Sequence, residues 1–197
     1  MRWLVVMLGV LMAGSGAERA GAESMTRRGY EMPAYAVEVA DGPREVRAYG
    51  PRWVAEVTVR GDRRAAVNTG FRVLAGYIFG GNAGGGKIAM TVPVEQAEQE
   101  GGLWVVRFTM PAEAVAAGLP APADGRIVLR EVAAARMVVE GFSGMPDSDD
   151  MAARADALRV WAEGRGLQVT GLPVFSFYDA PWTPGAARLN EVAWQIR

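Results

Sequence analysis

The feature that most restricts how this chain can fold is a plan stated twice. Two stretches of the 197 residues run strand, strand, helix, strand, and short runs of letters recur with them. Arg52-Trp-Val-Ala-Glu56 is echoed by Arg136-Met-Val-Val-Glu140 at an offset of 84 (52 to 136). Phe71-Arg-Val-Leu74 is echoed by Leu158-Arg-Val-Trp161 at an offset of 87 (71 to 158). A supersecondary unit that occurs twice points to duplication, because one unit alone cannot cover its apolar face. Two such halves can pair their sheets into one barrel-like sheet with both helices outside it, an α+β arrangement.

The elements follow from period and punctuation. Alternation predicts strands over residues 35–40, 44–49 and 52–59, joined by Asp41-Gly42-Pro43 and Gly50-Pro51 as an antiparallel meander. Asp62 is the expected N-cap of a first helix, and Val67, Phe71, Leu74 and Ile78 mark its apolar face. Gly80-Gly81-Asn82 stops it. Strands are expected over 87–94 and 103–110, then a helical turn over 111–117. The second half offers strands over 126–132 and 136–142 and a helix capped by Asp149 or Asp150. Met151, Ala155, Leu158 and Ala162 share a face of that helix. Strands over 174–178 and 190–196 close the chain.

The first residues read differently. Arg2 precedes an apolar run over residues 3–13, and Ala20-Gly21-Ala22 has the small-x-small form of a signal peptidase site. This predicts a signal peptide over residues 1–22 and a periplasmic or secreted protein. The run is shorter than the roughly 20 residues a membrane-spanning helix needs, so no stable span is expected. Residues 23–34 form a polar, extended lead-in, and residues 35–197 form the domain.

Composition removes whole classes of chemistry. There is no cysteine, hence no disulfide, thiolate metal site or cysteine nucleophile. There is no histidine, which removes His-based zinc sites, the Ser-His-Asp triad and the commonest haem ligand together. A net charge of −1 gives no nucleic-acid footprint. The Gly80-Gly-Asn-Ala-Gly-Gly-Gly86 run is not a phosphate loop. A helix precedes it, a strand follows, and Lys87 is followed by Ile88 rather than Ser or Thr. Neither a nucleophile elbow nor a close carboxylate pair in a loop is present, so the chain reads as a non-enzymatic binding protein.

Three motifs then resemble those of the SOUL haem-binding family. Lys87-Ile-Ala-Met-Thr-Val-Pro-Val94 is similar to its K-I-x-M-T-x-P-V signature, and Phe108-Thr-Met-Pro111 to its F-x-M-P strand end. Tyr178-Asp-Ala-Pro-Trp-Thr-Pro184 with Arg188-Leu-Asn-Glu191 is similar to its C-terminal segment. The resemblance covers roughly residues 30–197. It implies a distorted antiparallel or mixed β-barrel of two pseudo-repeats flanked by two long α-helices. It also implies a haem or other porphyrin held in a hydrophobic cleft beside the first helix.

On that basis Phe71, Leu74, Ala75 and Ile78 are the expected slot, with Arg72, Lys87 and Arg188 for the propionates. Without His or Cys the axial options are Met, Tyr or Lys, and Met90 in the signature is the candidate metal ligand. The expected function is an exported, reversible, non-covalent tetrapyrrole carrier or buffer. The alternative is a GyrI-like module for another small amphipathic ligand, for which Glu56 and Glu140 are the candidate buried acids.

Overall fold

A computed structural model describes residues 25–197; the expected signal peptide lies outside the described residues. The lead-in is a small hairpin, β1 (Thr26–Arg27) and β2 (Tyr30–Glu31). The first half of the domain holds β3 (Tyr35–Asp41), β4 (Arg44–Tyr49), β5 (Arg52–Arg60), α1 (Arg63–Ile78), β6 (Val94–Gln99) and β7 (Leu103–Thr109). The short α2 (Ala112–Ala117) leads into the second half. That half holds β8 (Val128–Val132), β9 (Ala135–Phe142), α3 (Ser148–Glu163), β10 (Val169–Phe177) and β11 (Asn190–Ile196).

Nine strands form one antiparallel sheet in the order β3-β4-β9-β11-β10-β6-β7-β5-β8. Outward from the central β10–β6 pair the order is β11, β9, β4 on one side and β7, β5, β8 on the other. These are equivalent elements of the two halves, so the duplicated plan is realised as a pseudo-two-fold sheet. The leading strand of each half is exchanged: β4 pairs with β9, and β8 with β5. This corrects the expected meander, since β4 and β5 are not partners. It also corrects the barrel. β3 adds to β4 at one edge and β8 ends the other, leaving an open sheet rather than a closed one.

Each helix covers its own half. α1 packs on Ala55, Val57, Val106 and Phe108, and α3 on Val46, Val138, Phe175 and Val192. The Asp62 side chain caps α1 by accepting from the Ala65 N–H at 3.1 Å. α3 is capped by Asp147, not Asp149 or Asp150, with Asp147 accepting from the Asp150 N–H at 2.9 Å. Three carboxylates in one short stretch all suit a helix start, and letters alone do not choose among them. Met151, Ala155, Leu158 and Ala162 are the buried face of α3, as their spacing predicts.

The α1 face is rotated from the expected one. Ala66, Gly70, Leu74, Tyr77 and Ile78 are buried, while Phe71 is 39% exposed. Gly70 is the reason: it lets the helix backbone sit directly against the sheet, a contact that a search for large apolar letters overlooks.

The echoed letters are not structural equivalents. Ala55 and Val57 face α1, so Glu56 points to the helix-free side. Val138 faces α3 and Glu140 pairs with Arg154 of that helix, so Glu140 points to the helical side. An even offset of 84 joins positions on opposite faces, and in a strand a one-residue slip exchanges every side chain. The helix caps are 85 apart (62 to 147), so the match at 87 is also out of register.

Candidate functional site

One flank of α1 faces the loop of residues 118–127 across a cleft of about 410 Å³, within the size range of small-molecule sites. Thr69, Arg72, Val73 and Gly76 line it at i, i+3, i+4 and i+7, a single stripe of the helix. Ala123, Asp124 and Arg126 form the facing wall. The buried Tyr77 ties the two walls together, its hydroxyl donating to the Pro120 carbonyl at 2.9 Å. Backbone bonds from Ala123 N to Gly81 O (3.0 Å) and from Ala83 N to Ala121 O (2.9 Å) complete the seam.

The glycine run after α1 is a built element of this wall. Asn82 is buried, and its side-chain amide donates to Tyr77 O at 3.0 Å and Gly86 O at 2.8 Å. Its Oδ1 accepts from Gly84 N at 3.2 Å. A Cβ on Gly81 would lie 2.7 Å from the Gly76 carbonyl, so the close return of the chain requires glycine there.

The rim carries two guanidiniums. Arg72 is exposed and only loosely engaged, at 3.3 Å from Asn68 O and 3.5 Å from Thr69 Oγ1. Arg126 grips Asp124 with Nη2 to Oδ2 at 2.6 Å and Nε to Oδ1 at 2.9 Å. The Arg126 hydrogen bonds hold the Asp124 carboxyl down at about 2.

None of the four residues expected to form the slot lines this cleft, and of the three expected propionate partners only Arg72 does. Leu74 and Ile78 are fully buried core, 0% and 1% exposed. Ala75 is half-buried outside the cleft lining, and at 3.6 residues per turn Phe71 projects about 140° around α1 from Gly76. Phe71 meets Phe108 edge-on there, with ring centroids 5.4 Å apart. Lys87 is exposed, outside the cleft lining. Met90 is half-buried against the α1 core cluster, also outside the lining. Arg188 is spent on carbonyls, donating to Thr183 O at 2.8 Å, to Ala180 O at 3.3 Å and to Pro181 O. Asp124 escaped sequence reasoning because it lies in a loop, and Arg126, expected to open a strand over 126–132, instead sits in the turn before β8, which begins at Val128. The 69-72-73-76 stripe was the legible signal, since it pairs a cation with a small residue beside the buried face.

The motif residues are mostly structural. Residues 87–93 are not the expected strand of the main sheet, Thr91 making only an isolated bridge to Glu31; β6 begins at Val94. Ile88 N bonds Ile78 O at 2.8 Å, Thr91 Oγ1 donates to Thr109 O at 2.6 Å, and Val92 N bonds Glu31 O at 2.9 Å. The signature therefore fastens α1, β7 and the lead-in hairpin together. Asp179 does similar work: it accepts from Leu189 N at 2.7 Å and pairs with Arg27 and Arg28 at 3.1 and 3.0 Å. Burial works against its charge, but these bonds hold its pKa below the usual carboxylate value.

The helix-free face of the sheet is filled by ion pairs. Glu191 accepts from the Tyr178 hydroxyl at 2.6 Å and from Arg47 Nη2 at 2.9 Å; all three are buried. Arg47 also bonds Glu45 at 2.6 Å and lies 4.2 Å from the Tyr35 ring centroid. Burial, then the Glu191 charge, pushes the Tyr178 hydroxyl far up. Further along, Arg52 bonds Glu95 at 2.7 Å, and Glu56 takes Arg107 at 2.7 Å and Arg130 at 2.8 Å. On the helical side Glu140 takes Arg44 at 2.7 Å and Arg154 at 3.2 Å. Each candidate acid is thus closed by two arginines, and neither stands free for a cationic ligand.

Among the described residues, no group of three or more His, Cys, Asp or Glu side chains could hold a metal ion. The cleft offers apolar wall and rim cations but no free axial atom. Val73, Tyr77 and Ala123 offer apolar surface, and Arg72 and Arg126 offer cations at the rim. Tyr77 is the one lining residue among the possible axial types. Burial raises its pKa and its proton is donated to Pro120 O, so it stays a phenol.

A family model described as SOUL heme-binding protein matches residues 30–195. "Heme-binding protein 2" of Mus musculus is 28% identical over 153 residues, covering 70% of this chain and 74% of the mouse protein. Among solved structures, the EcmrR C-terminal domain superposes with a TM-score of 0.58 at 16% identity, covering 83% of this chain and 98% of that one. A hydrolase from Listeria innocua superposes with a TM-score of 0.55 at 12% identity, covering 81% and 94%. At such identities the two structures speak for the shared fold alone.

Proposed function

We propose, from the premise that this chain belongs to the SOUL heme-binding protein family, that it is an exported, non-catalytic tetrapyrrole carrier. The porphyrin lies in the cleft between α1 and the 118–127 loop. The observation that carries this reading is the pairing of Arg72 and Arg126 on the rim of the cleft beside α1, above the apolar wall of Val73, Tyr77 and Ala123. Charge-assisted bonds from guanidinium to carboxylate are the strong, geometrically specific way to hold two propionates. Arg126 reaches a propionate by exchanging Asp124 for it, and Arg72 has only weak contacts to give up.

Holding by apolar contact and rim charge, with no axial residue from the cleft, fits reversible transfer better than redox work or oxygen activation. The apolar residues 3–13 and the Ala20-Gly21-Ala22 site support export. Titration of the purified protein with hemin tests the reading. A saturable Soret shift is expected, weakened at least tenfold in an Arg72→Gln/Arg126→Gln double variant. An unchanged affinity in the double variant would remove the cleft assignment, and no shift at micromolar protein would remove tetrapyrrole binding.

A further inference from the structure

Two loops are tied into one projecting tip. Residues 178–189 join β10 to β11, and residues 143–147 join β9 to α3. Gly144 N donates to Gly185 O at 2.9 Å, and the buried Asn190 donates from Nδ2 to Gly144 O at 3.1 Å. The Met145 side chain rests on Gly185, where a Cβ would lie 3.5 Å from Met145 Cγ. At the crest stand Trp182, 85% exposed, and Met145, 71% exposed. They are the two most exposed large apolar side chains among the described residues.

The longer loop is closed on itself. Leu189 N donates to Asp179 Oδ2 across its base at 2.7 Å. Inside it Thr183 N bonds Ala180 O at 2.9 Å, Ala187 N bonds Pro184 O at 2.9 Å and Arg188 N bonds Gly185 O at 3.1 Å. The Arg188 guanidinium takes the carbonyls of Ala180, Pro181 and Thr183, and Arg28 takes that of Ala187. Every carbonyl from Ala180 to Ala187 except those of Trp182 and Ala186 therefore has a donor within the protein. Pro181 and Pro184 have no N–H to satisfy. A loop in water does not need such closure, because water supplies the partners. A loop that enters a bilayer does, since lipid supplies almost none.

The charges beside the tip have both signs. Arg188 forms no ion pair among the described residues, and Arg28 pairs only with the buried Asp179. On the other side Asp147, Asp149 and Asp150 are exposed at the start of α3, also without ion pairs among the described residues. A zwitterionic phospholipid headgroup complements this pattern, with a phosphate for the guanidiniums and an ammonium for the carboxylates. A purely anionic surface does not, because three carboxylates face it.

We infer that this tip docks the protein on zwitterionic phospholipid bilayers, with Trp182 and Met145 entering the interface. Tryptophan favours that level because its ring is apolar and its N–H polar. The contact is peripheral, made by side chains at a loop crest. The inference does not depend on tetrapyrrole binding in the cleft beside α1.

Pelleting with dioleoylphosphatidylcholine vesicles, with no hemin present, tests it. The parent should pellet saturably, and brominated phosphatidylcholine should quench part of its tryptophan emission. Trp182→Ser/Met145→Ser should weaken partitioning at least tenfold and keep the parent's melting profile, since both side chains stand in water. The variant carries the parent's N-terminus, so the apolar residues 3–13 do not account for the difference. Val160→Ser, which removes a 63% exposed side chain farther along α3, should partition as the parent does. Added dioleoylphosphatidylglycerol should not strengthen binding. A parent that stays in the supernatant, or a double variant that partitions equally, overturns the inference. So does binding that appears only with phosphatidylglycerol. Self-association of the parent without vesicles, lost in the double variant, gives the tip to a second copy and overturns it too. Hemin titration of the double variant should match the parent, so the tetrapyrrole proposal stands or falls separately.

Discussion

Gly70 of α1 rests on Val106 of β7 so closely that a Cβ at Gly70 would lie 2.6 Å from Val106 Cγ2. It would also lie 3.3 Å from Val57 Cγ1. Six residues on, a Cβ at Gly76 would meet nothing within 4 Å. The same substitution therefore has opposite signs at the two positions. Gly70→Ala overpacks the core and should cost about 1–3 kcal/mol. Gly76→Ala relieves the entropic penalty of glycine in a helix and should stabilise by about 0.5–1 kcal/mol. Urea denaturation of both variants checks this; a Gly70→Ala protein as stable as the parent would mean the helix stands further off the sheet.

The same glycine explains where sequence reading stopped. Alternation in the letters located β3, β4, β5, β7, β9 and β11, and burial follows it most cleanly in β7, where Trp104, Val106 and Phe108 are buried between less buried neighbours. The α3 face was legible since its buried positions include Met151 and Leu158. The α1 face was misplaced because its closest contact is made by a residue with no side chain. The exchange of β4 and β8 between halves was not legible, since alternation says which face is buried but not which strand lies alongside. The cleft was half legible: its helical stripe has a period, whereas Asp124 and Arg126 are placed by loop closure.

The Glu191–Arg47–Tyr178 group should be structural and tightly coupled. Removing the carboxylate leaves Arg47 as a buried charge with only Glu45 opposite it, so Glu191→Ala should cost about 3–5 kcal/mol. Tyr178→Phe removes one hydrogen bond to a charged acceptor, a loss of about 1.5–3 kcal/mol. A double-mutant cycle should show the two effects to be non-additive. Simple additivity would place the two side chains in separate environments.

Stability should fall at both ends of the pH scale, for different groups. Burial opposes the charge of Glu56, but its bonds from Arg130 and Arg107 hold its pKa below the ordinary 4.5. A depressed carboxylate contributes stability above its unfolded pKa, and that contribution is lost as pH drops through the folded value. The acid limb should therefore begin below about pH 4.5 and be shallower in Glu56→Gln. Burial raises Tyr49 from 10.0 to about 12, and Tyr178 rises as well. A raised group contributes fully below its unfolded pKa and loses that contribution as pH climbs. The alkaline limb should thus open near pH 10 and shrink in Tyr49→Phe. Denaturant midpoints measured across pH check both limbs.

Export makes a prediction about mass. Cleavage after Ala22 leaves Glu23 as the first residue, so protein recovered from the periplasm or medium of a host with a general secretory pathway should begin there. Intact-mass measurement decides it. Full-length protein confined to the cytoplasm would remove the carrier-for-export reading without touching the cleft.

The two flanks of α1 should respond differently to substitution. If the porphyrin lies against the Arg72–Gly76 stripe, Gly76→Trp should fill the cleft and weaken hemin at least tenfold, since the position is exposed and open. The fold should survive, because nothing in the protein occupies that space. Phe71→Ala, on the opposite flank, should leave hemin affinity within about twofold, a change of about 0.4 kcal/mol. Met90→Ala should cost some stability, since Met90 packs against the α1 core cluster, yet leave the Soret band of the complex in place, because Met90 lies outside the cleft lining. The reverse pattern would move the porphyrin across the helix: binding kept in Gly76→Trp, lost in Phe71→Ala, with a Soret shift in Met90→Ala. It would restore Met90 as the axial ligand and leave Arg72 and Arg126 as solvated surface charges.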